Sequence, residues 1–110
     1  MKIKEVLVLK EAVADLECGR IFYESNAQSI GNYFFDSLIL DIESLKFYAG
    51  IHSKRCEMYR LLSKRFPFAV YYEIDENFVK VVAVLDLRRD PAWSYNQLKT
   101  RKNSQKKERK

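Results

Sequence analysis

At 110 residues the chain can bury one core around a small sheet and a pair of helices, and no second one. A hydrophobic fraction of 47%, with no apolar run near the ~18 residues of a membrane span, points to a globular protein. The net charge of +5 is concentrated at one end: Lys99 to Lys110 holds seven basic residues against Glu108, while residues 1–98 hold 13 basic and 14 acidic ones.

Met1–Glu5 lacks the apolar segment of a signal peptide, so a cytoplasmic location without membrane attachment is expected. Ile3, Val6, Leu7, Val8 and Leu9 then form a β-favouring run that predicts an opening strand. From Glu11 the spacing turns helical, with Val13, Leu16, Cys18, Ile21 and Phe22 against Glu11, Asp15, Glu17, Arg20 and Glu24. This predicts a helix over Glu11–Ser25. Gly19 inside it costs about 1 kcal/mol in helix propensity, and close packing against a second helix would account for it. Ser25-Asn26 reads as a break, and Gln28–Ala49 as that second helix, with Ile30, Phe34, Leu38, Ile42 and Leu45 on one stripe and Gly50 ending it. Two such helices form an αα-hairpin able to cover one face of a sheet.

After a loop over Ile51–Arg55, Met58–Leu62 is a strand candidate. Phe68–Asp75 and Phe78–Leu87 are dense in β-branched and aromatic residues, and Glu76-Asn77 between them supplies the polar break of a hairpin. The second run is apolar at both parities from Val79 to Leu85, which places it centrally and covered on both faces. Ala92–Leu98 reads as a short helical turn or ordered extension, entered through Asp90-Pro91. The fold class is therefore α+β: an N-terminal strand, an αα-hairpin and a three-stranded antiparallel meander forming one small sheet, in a single domain over residues 1–98. Leu16, Phe34, Leu38, Ile42, Val70, Tyr72, Val81 and Ala83 are its predicted core. Residues 99–110 are expected to be a disordered basic tail, because a polar run without apolar periodicity buries too little surface to offset ordering.

The strand Arg65-Phe66-Pro67-Phe68-Ala69-Val70-Tyr71-Tyr72, followed by Val81-Val82-Ala83-Val84 and then Arg88-Arg89-Asp90-Pro91, resembles the C-terminal half of the RelE/ParE superfamily of bacterial toxins. The resemblance covers Tyr59–Trp93. It implies a RelE/ParE-like fold and the toxin role in a type II toxin–antitoxin pair, neutralised by a cognate antitoxin. In its ribonuclease branch, basic side chains and a late aromatic cut messenger RNA on the ribosome. Arg88 or Arg89 and Tyr95 fall on two of those positions, and Ala69 falls on a third that is basic in the nucleases, which argues against cleavage. The strand itself is closer to the ParE side, whose members poison DNA gyrase by binding. A toxin acting on gyrase or an unassigned target is therefore ranked first, a messenger-RNA endoribonuclease second, and a non-toxic binding module on the same fold third.

The residues themselves point to binding more than to catalysis. There is no nucleophile elbow, metal-ligand cluster or phosphate loop, so no cofactor or metal is expected, and the single histidine, His52, is read as a loop residue. Cys18 and Cys56 have neither disulfide-framework number nor metal spacing. Basic and aromatic side chains that could bind a target or nucleic acid are Arg60, Lys64, Arg65, Arg88, Arg89, Trp93 and Tyr95. Arg88 and Arg89, being adjacent, cannot face the same way in a strand; one of them should pair with Asp86 or Asp90 or face solvent. Fifteen aromatic residues exceed what a core of this size hides, so an exposed apolar patch is expected, covered by the antitoxin or by a homodimer partner.

Overall fold

The computed structural model describes residues 2–108, and side chains over residues 2–103. Its elements are β1 (Glu5–Val8), α1 (Lys10–Asn26), α2 (Ile30–Glu43), α3 (Leu45–Tyr48), β2 (Lys54–Arg55), β3 (Met58–Leu62), β4 (Phe68–Asp75), β5 (Phe78–Asp86) and α4 (Pro91–Glu108). The five strands form one mixed sheet in the order β1-β5-β4-β3-β2. β1 runs parallel to β5, pairing Val6 with Val79 and Val8 with Val81, and the other neighbours are antiparallel.

Several details differ from the sequence reading. β1 makes the sheet mixed, because the αα-hairpin that follows it carries the chain across the sheet before β5 returns beside it. The loop expected over Ile51–Arg55 gives up Lys54–Arg55 to an added edge strand. The second helix is broken at Ser44, whose hydroxyl donates to the Asp41 carbonyl at 2.6 Å and competes with the helical ladder.

The sheet is covered on both faces. Leu16 of α1 and Phe34, Leu38 and Ile42 of α2 pack on Phe68, Val70 and Tyr72 of β4 and on Val79, Val81 and Val84 of β5. On the other face Leu98 of α4 packs with Met58, Ala69, Tyr71, Val82, Ala83 and Leu85. A bulge opposite Tyr71/Tyr72 breaks the alternation of β5 and turns Val82 and Ala83 to the same side. Two covered faces, with strands on both edges of β5, account for its unbroken apolar run. All eight predicted core residues are buried.

Gly19 lies where α1 meets α2. A Cβ there would stand 2.5 Å from the Phe34 ring, too close for any real contact. Gly31 is the reciprocal approach on α2: a Cβ would stand 2.5 Å from the Arg20 carbonyl oxygen. Gly19→Ala therefore gains about 1 kcal/mol of helix propensity and loses about 1–3 kcal/mol to overpacking. We expect a lower urea midpoint for this variant; a raised one would show that the helices can separate at little cost.

Where the sequence places a tail from Lys99, the structure continues α4 to Glu108 and buries Arg101, 7% exposed. The Arg101 guanidinium donates to both carboxylate oxygens of Asp15 on α1, to the Val82 carbonyl at 3.2 Å and to the Gln97 side-chain oxygen at 3.2 Å. Asp15 in turn accepts the Val84 N–H at 2.9 Å. One arginine thus ties α4 to α1 and to the bulged strand, so an order that composition alone could not offset is supplied by tertiary contact. Residues 109 and 110, and side chains past residue 103, are parts of the expected tail that lie outside the described residues. Arg101→Ala leaves Asp15 partly buried without its cation, a change that typically costs about 3–5 kcal/mol. A thermal melt of the full chain should fall by many degrees; an unchanged melt would mean that α4 does not depend on this pair.

Candidate functional site

Three arginines from three separate segments converge where β3 and the end of β5 meet the first turns of α4. Arg55 comes from β2 and Arg60 from β3, where it pairs with Tyr71 of β4; Arg89 follows β5. With Cys56, Tyr71, Leu87, Pro91, Ser94, Tyr95 and Leu98 they line a cavity of ≈330 Å³. No carboxylate lines it, and among the described residues none of the three arginines makes an ion pair. The Arg60 Nε is buried and finds no hydrogen-bond partner among the described residues. Guanidinium stays charged at any ordinary pH, so the cavity holds positive charge that nothing in its lining neutralises.

Local structure explains the convergence. Cys56 and Glu57 both take left-handed backbone conformations, φ 54° and 66°, and fold β2 back on β3 in a two-residue turn that brings Arg55 beside Arg60. Arg89 stacks on the Trp93 ring, its guanidinium carbon 3.9 Å from the ring centre. Asp90 starts α4 by accepting the Ala92 N–H at 2.9 Å, which sets Ser94 and Tyr95 facing the strands.

The predicted residues divide. Arg60, Arg89 and Tyr95 meet in the cavity, and Trp93 orients Arg89 from a neighbouring cleft of ≈380 Å³ between α1 and β5. Arg88 turns the other way, donating to Asp86 through Nε at 3.0 Å and Nη2 at 2.8 Å, and to the Tyr23 hydroxyl at 3.3 Å. The Arg88 hydrogen bond holds the Asp86 carboxyl below its usual range and outweighs the effect of burial. Lys64 lines a different cavity, of ≈300 Å³, with Asp41, Tyr48, His52 and Leu62. Arg65 is exposed in the turn before β4. Ala69 is fully buried beneath α4, and Arg60, one strand over on the same face, brings to this region a charge that Ala69 lacks.

The site's most useful addition is Arg55, which the sequence shows as basic but places in a loop. A glycine or asparagine in the turn would have signalled the hairpin; Cys56-Glu57 does not.

His52 lies outside this site. The Tyr72 hydroxyl accepts the Gly50 N–H at 2.9 Å, which leaves its own proton to donate to Nδ1 of a neutral His52 ring at 2.5 Å. Burial pushes the His52 pKa down and the Tyr72 pKa up. A depressed histidine favours the fold while neutral. Its contribution is complete above the unfolded value of about 6.5 and is lost as pH falls from there through the folded value. His52→Gln should shrink the drop in denaturation midpoint between pH 7.5 and pH 5.5. An unaltered drop would exclude His52 from it.

The fold is shared with a solved structure described as the chromosomal ParDE TA system from P. aeruginosa. The match has a TM-score of 0.72 at 14% sequence identity, and covers 79% of this chain and 99% of that one. No protein-family model and no curated protein matches the sequence. The chain therefore shares its α+β fold with a chain of that ParDE system, and carries an arginine cavity where its β2–β3 hairpin, the end of β5 and its last helix meet.

Proposed function

We propose that this chain is the toxin of a type II toxin–antitoxin pair, and that it arrests growth in the cytoplasm by binding an essential target through the arginine cavity. The observation that carries this reading is a carboxylate-free cluster of Arg55, Arg60 and Arg89 on a ParE/RelE-like fold. Such a cluster suits a phosphate or carboxylate of a larger partner. Gyrase or an unassigned macromolecule is the target ranked first, because binding requires no proton transfer and His52, the single histidine of the chain, is hydrogen-bonded to Tyr72 outside the cavity.

A second reading, messenger-RNA cleavage on the ribosome, gains from the meeting of Arg60, Arg89 and Tyr95 in one cavity. There an arginine would stabilise charge on the scissile phosphate and Tyr95 would take part in proton transfer or stacking.

The antitoxin has surface to cover. Phe47 is 81% exposed and Ile51 73%, and Leu40, Tyr48 and Leu62 are more than half exposed. An amphipathic segment laid on apolar surface of this kind would bury it, as would a second copy of the chain.

Induced expression in a bacterial host, following growth, message integrity and plasmid supercoiling together, tests the ranking. We expect arrest with intact message, relief on co-expression of the neighbouring small reading frame, and little effect of Tyr95→Phe. Arg89→Glu, at an exposed residue outside the core, should relieve the arrest without moving the melting curve. Codon-dependent cleavage that vanishes in Tyr95→Phe would put the ribonuclease first, and normal growth under soluble expression would remove both readings.

A further inference from the structure

We infer that the arginine cavity also binds a free nucleoside polyphosphate, a small ligand that would compete there with the macromolecule on which a toxin acts. Three features of the cavity point to a phosphate chain. Arg55, Arg60 and Arg89 make no ion pair among the described residues, Arg89 feeling Asp86 only at longer range, and guanidinium forks match phosphate oxygens two at a time. Among the described residues the Arg60 Nε is a buried donor with no acceptor, a state it shares with the Arg101 Nε, but only Arg60 borders the cavity, where an outside group can complete it. The cavity also opens on Pro91 and Ser94, in the first turn of the 18-residue helix α4, whose positive end favours an anion. Pro91 has no N–H, and Asp90 already accepts the Ala92 N–H through its carboxylate and the Trp93 and Ser94 N–H groups through its carbonyl, so the helix end adds field but no donors and the arginines are the phosphate ligands.

The surroundings limit the ligand's size and supply a place for its base. A volume of ≈330 Å³ sits at the small end of the roughly 300–1,000 Å³ typical of small-molecule sites. Tyr95, half exposed on the rim, offers a flat face on which a base can stack. A longer strand leaving the cavity along α4 would enter an adjoining groove of ≈220 Å³ that shares Cys56, Tyr95 and Leu98. There Lys102 is already neutralised by Glu57 at 3.1 Å, and the Glu57 carboxylate opposes a following phosphate. Among the described side chains, Lys99 alone adds unpaired charge on that side. Charge is thus concentrated at one end and offset at the other, as suits a compact polyanion carrying one base.

The inference concerns what fills the cavity, and it holds or falls whether or not the chain arrests growth. Titration calorimetry of the full chain at physiological salt tests it with ATP, inorganic pyrophosphate and adenosine as probes. Saturable one-to-one binding of ATP is expected, with pyrophosphate retaining part of the affinity and adenosine binding about tenfold or more weakly than ATP. Arg60→Gln and Arg89→Gln should each weaken ATP by about tenfold, while Tyr95→Ala weakens ATP and spares pyrophosphate. Arg89 is exposed, so Arg89→Gln remains informative if Arg60→Gln disturbs the fold. The proposal is overturned if ATP does not saturate at millimolar concentration or if both arginine variants bind it unchanged. It is also overturned if a short single-stranded oligonucleotide binds more tightly than ATP, with affinity rising with length, because the site would then belong to a polymer.

Discussion

The pair formed by Asp15 and Arg101 is the constraint on which the rest of this structure depends. β1 pairs β5 only as far as Val81, and beyond that point the freed edge of β5 would leave backbone groups bare. The Leu9 N–H takes the Val81 carbonyl, Arg101 takes the Val82 carbonyl and Asp15 takes the Val84 N–H, so two side chains continue the work of the missing strand. Buried ion pairs are weak evidence for net stability, because desolvation offsets much of their attraction. Their better attested use is to fix one arrangement among several, and here the arrangement fixed is α4 against the sheet. Every residue that α4 contributes to the arginine cavity, from Pro91 through Tyr95 to Leu98, stands where it does because the helix is anchored one turn further on.

That dependence also explains which parts of the molecule could be read from the sequence. The αα-hairpin was legible because its determinants are local: a stripe at helical spacing, a polar interruption, read at Ser25-Asn26 and found just after it at residues 27–29, and Gly19, whose cost predicted the close approach that Phe34 makes. β5 was legible because a strand covered on both faces leaves an unbroken apolar run. The length of α4 was not. Its second half is polar, and its docking rests on Arg101, which looks like any other tail residue until Asp15, 86 positions earlier, is found beside it. Propensity and periodicity carry no information about a partner at that separation.

The candidate site shows the same division. Adjacent residues in extended chain must diverge, so the sequence could say that Arg88 and Arg89 would separate but not which would be free. Asp86 decides it: two residues before Arg88, it can accept from both the backbone N–H and the guanidinium, and this holds Arg88 against Tyr23. Arg89 then has Trp93 to rest on and makes no direct ion pair among the described residues, Asp86 being taken up by Arg88. Arg55 was legible as a basic residue near the sheet but not as a neighbour of Arg60, because the turn that presents it is made of Cys56 and Glu57, two residues that rarely adopt positive φ.

Charge location, rather than net charge, is what gives the molecule its chemistry. The sequence concentrates +6 in its last dozen residues and leaves the body near neutral, which suggests that attraction to anions belongs to the terminus. In the fold, Arg101 is consumed by Asp15 and Lys102 by Glu57, while within the nearly neutral body Arg55, Arg60 and Arg89 are left uncompensated around one concavity. A focused cluster with low-dielectric walls attracts an anion more strongly than the same charges spread along a solvated segment, since the field is screened less inside the cavity than outside it. The loss of a basic side chain at Ala69 does not therefore make the face neutral: Ala69 fills the core under Leu98, and Arg60 on the neighbouring strand carries charge to the rim instead. What that shift changes is geometry. A cation moved by one strand still attracts a phosphate, because attraction tolerates displacement, whereas stabilising a transition state requires charge placed within a fraction of an ångström. This is why the proposed reading ranks binding above cleavage.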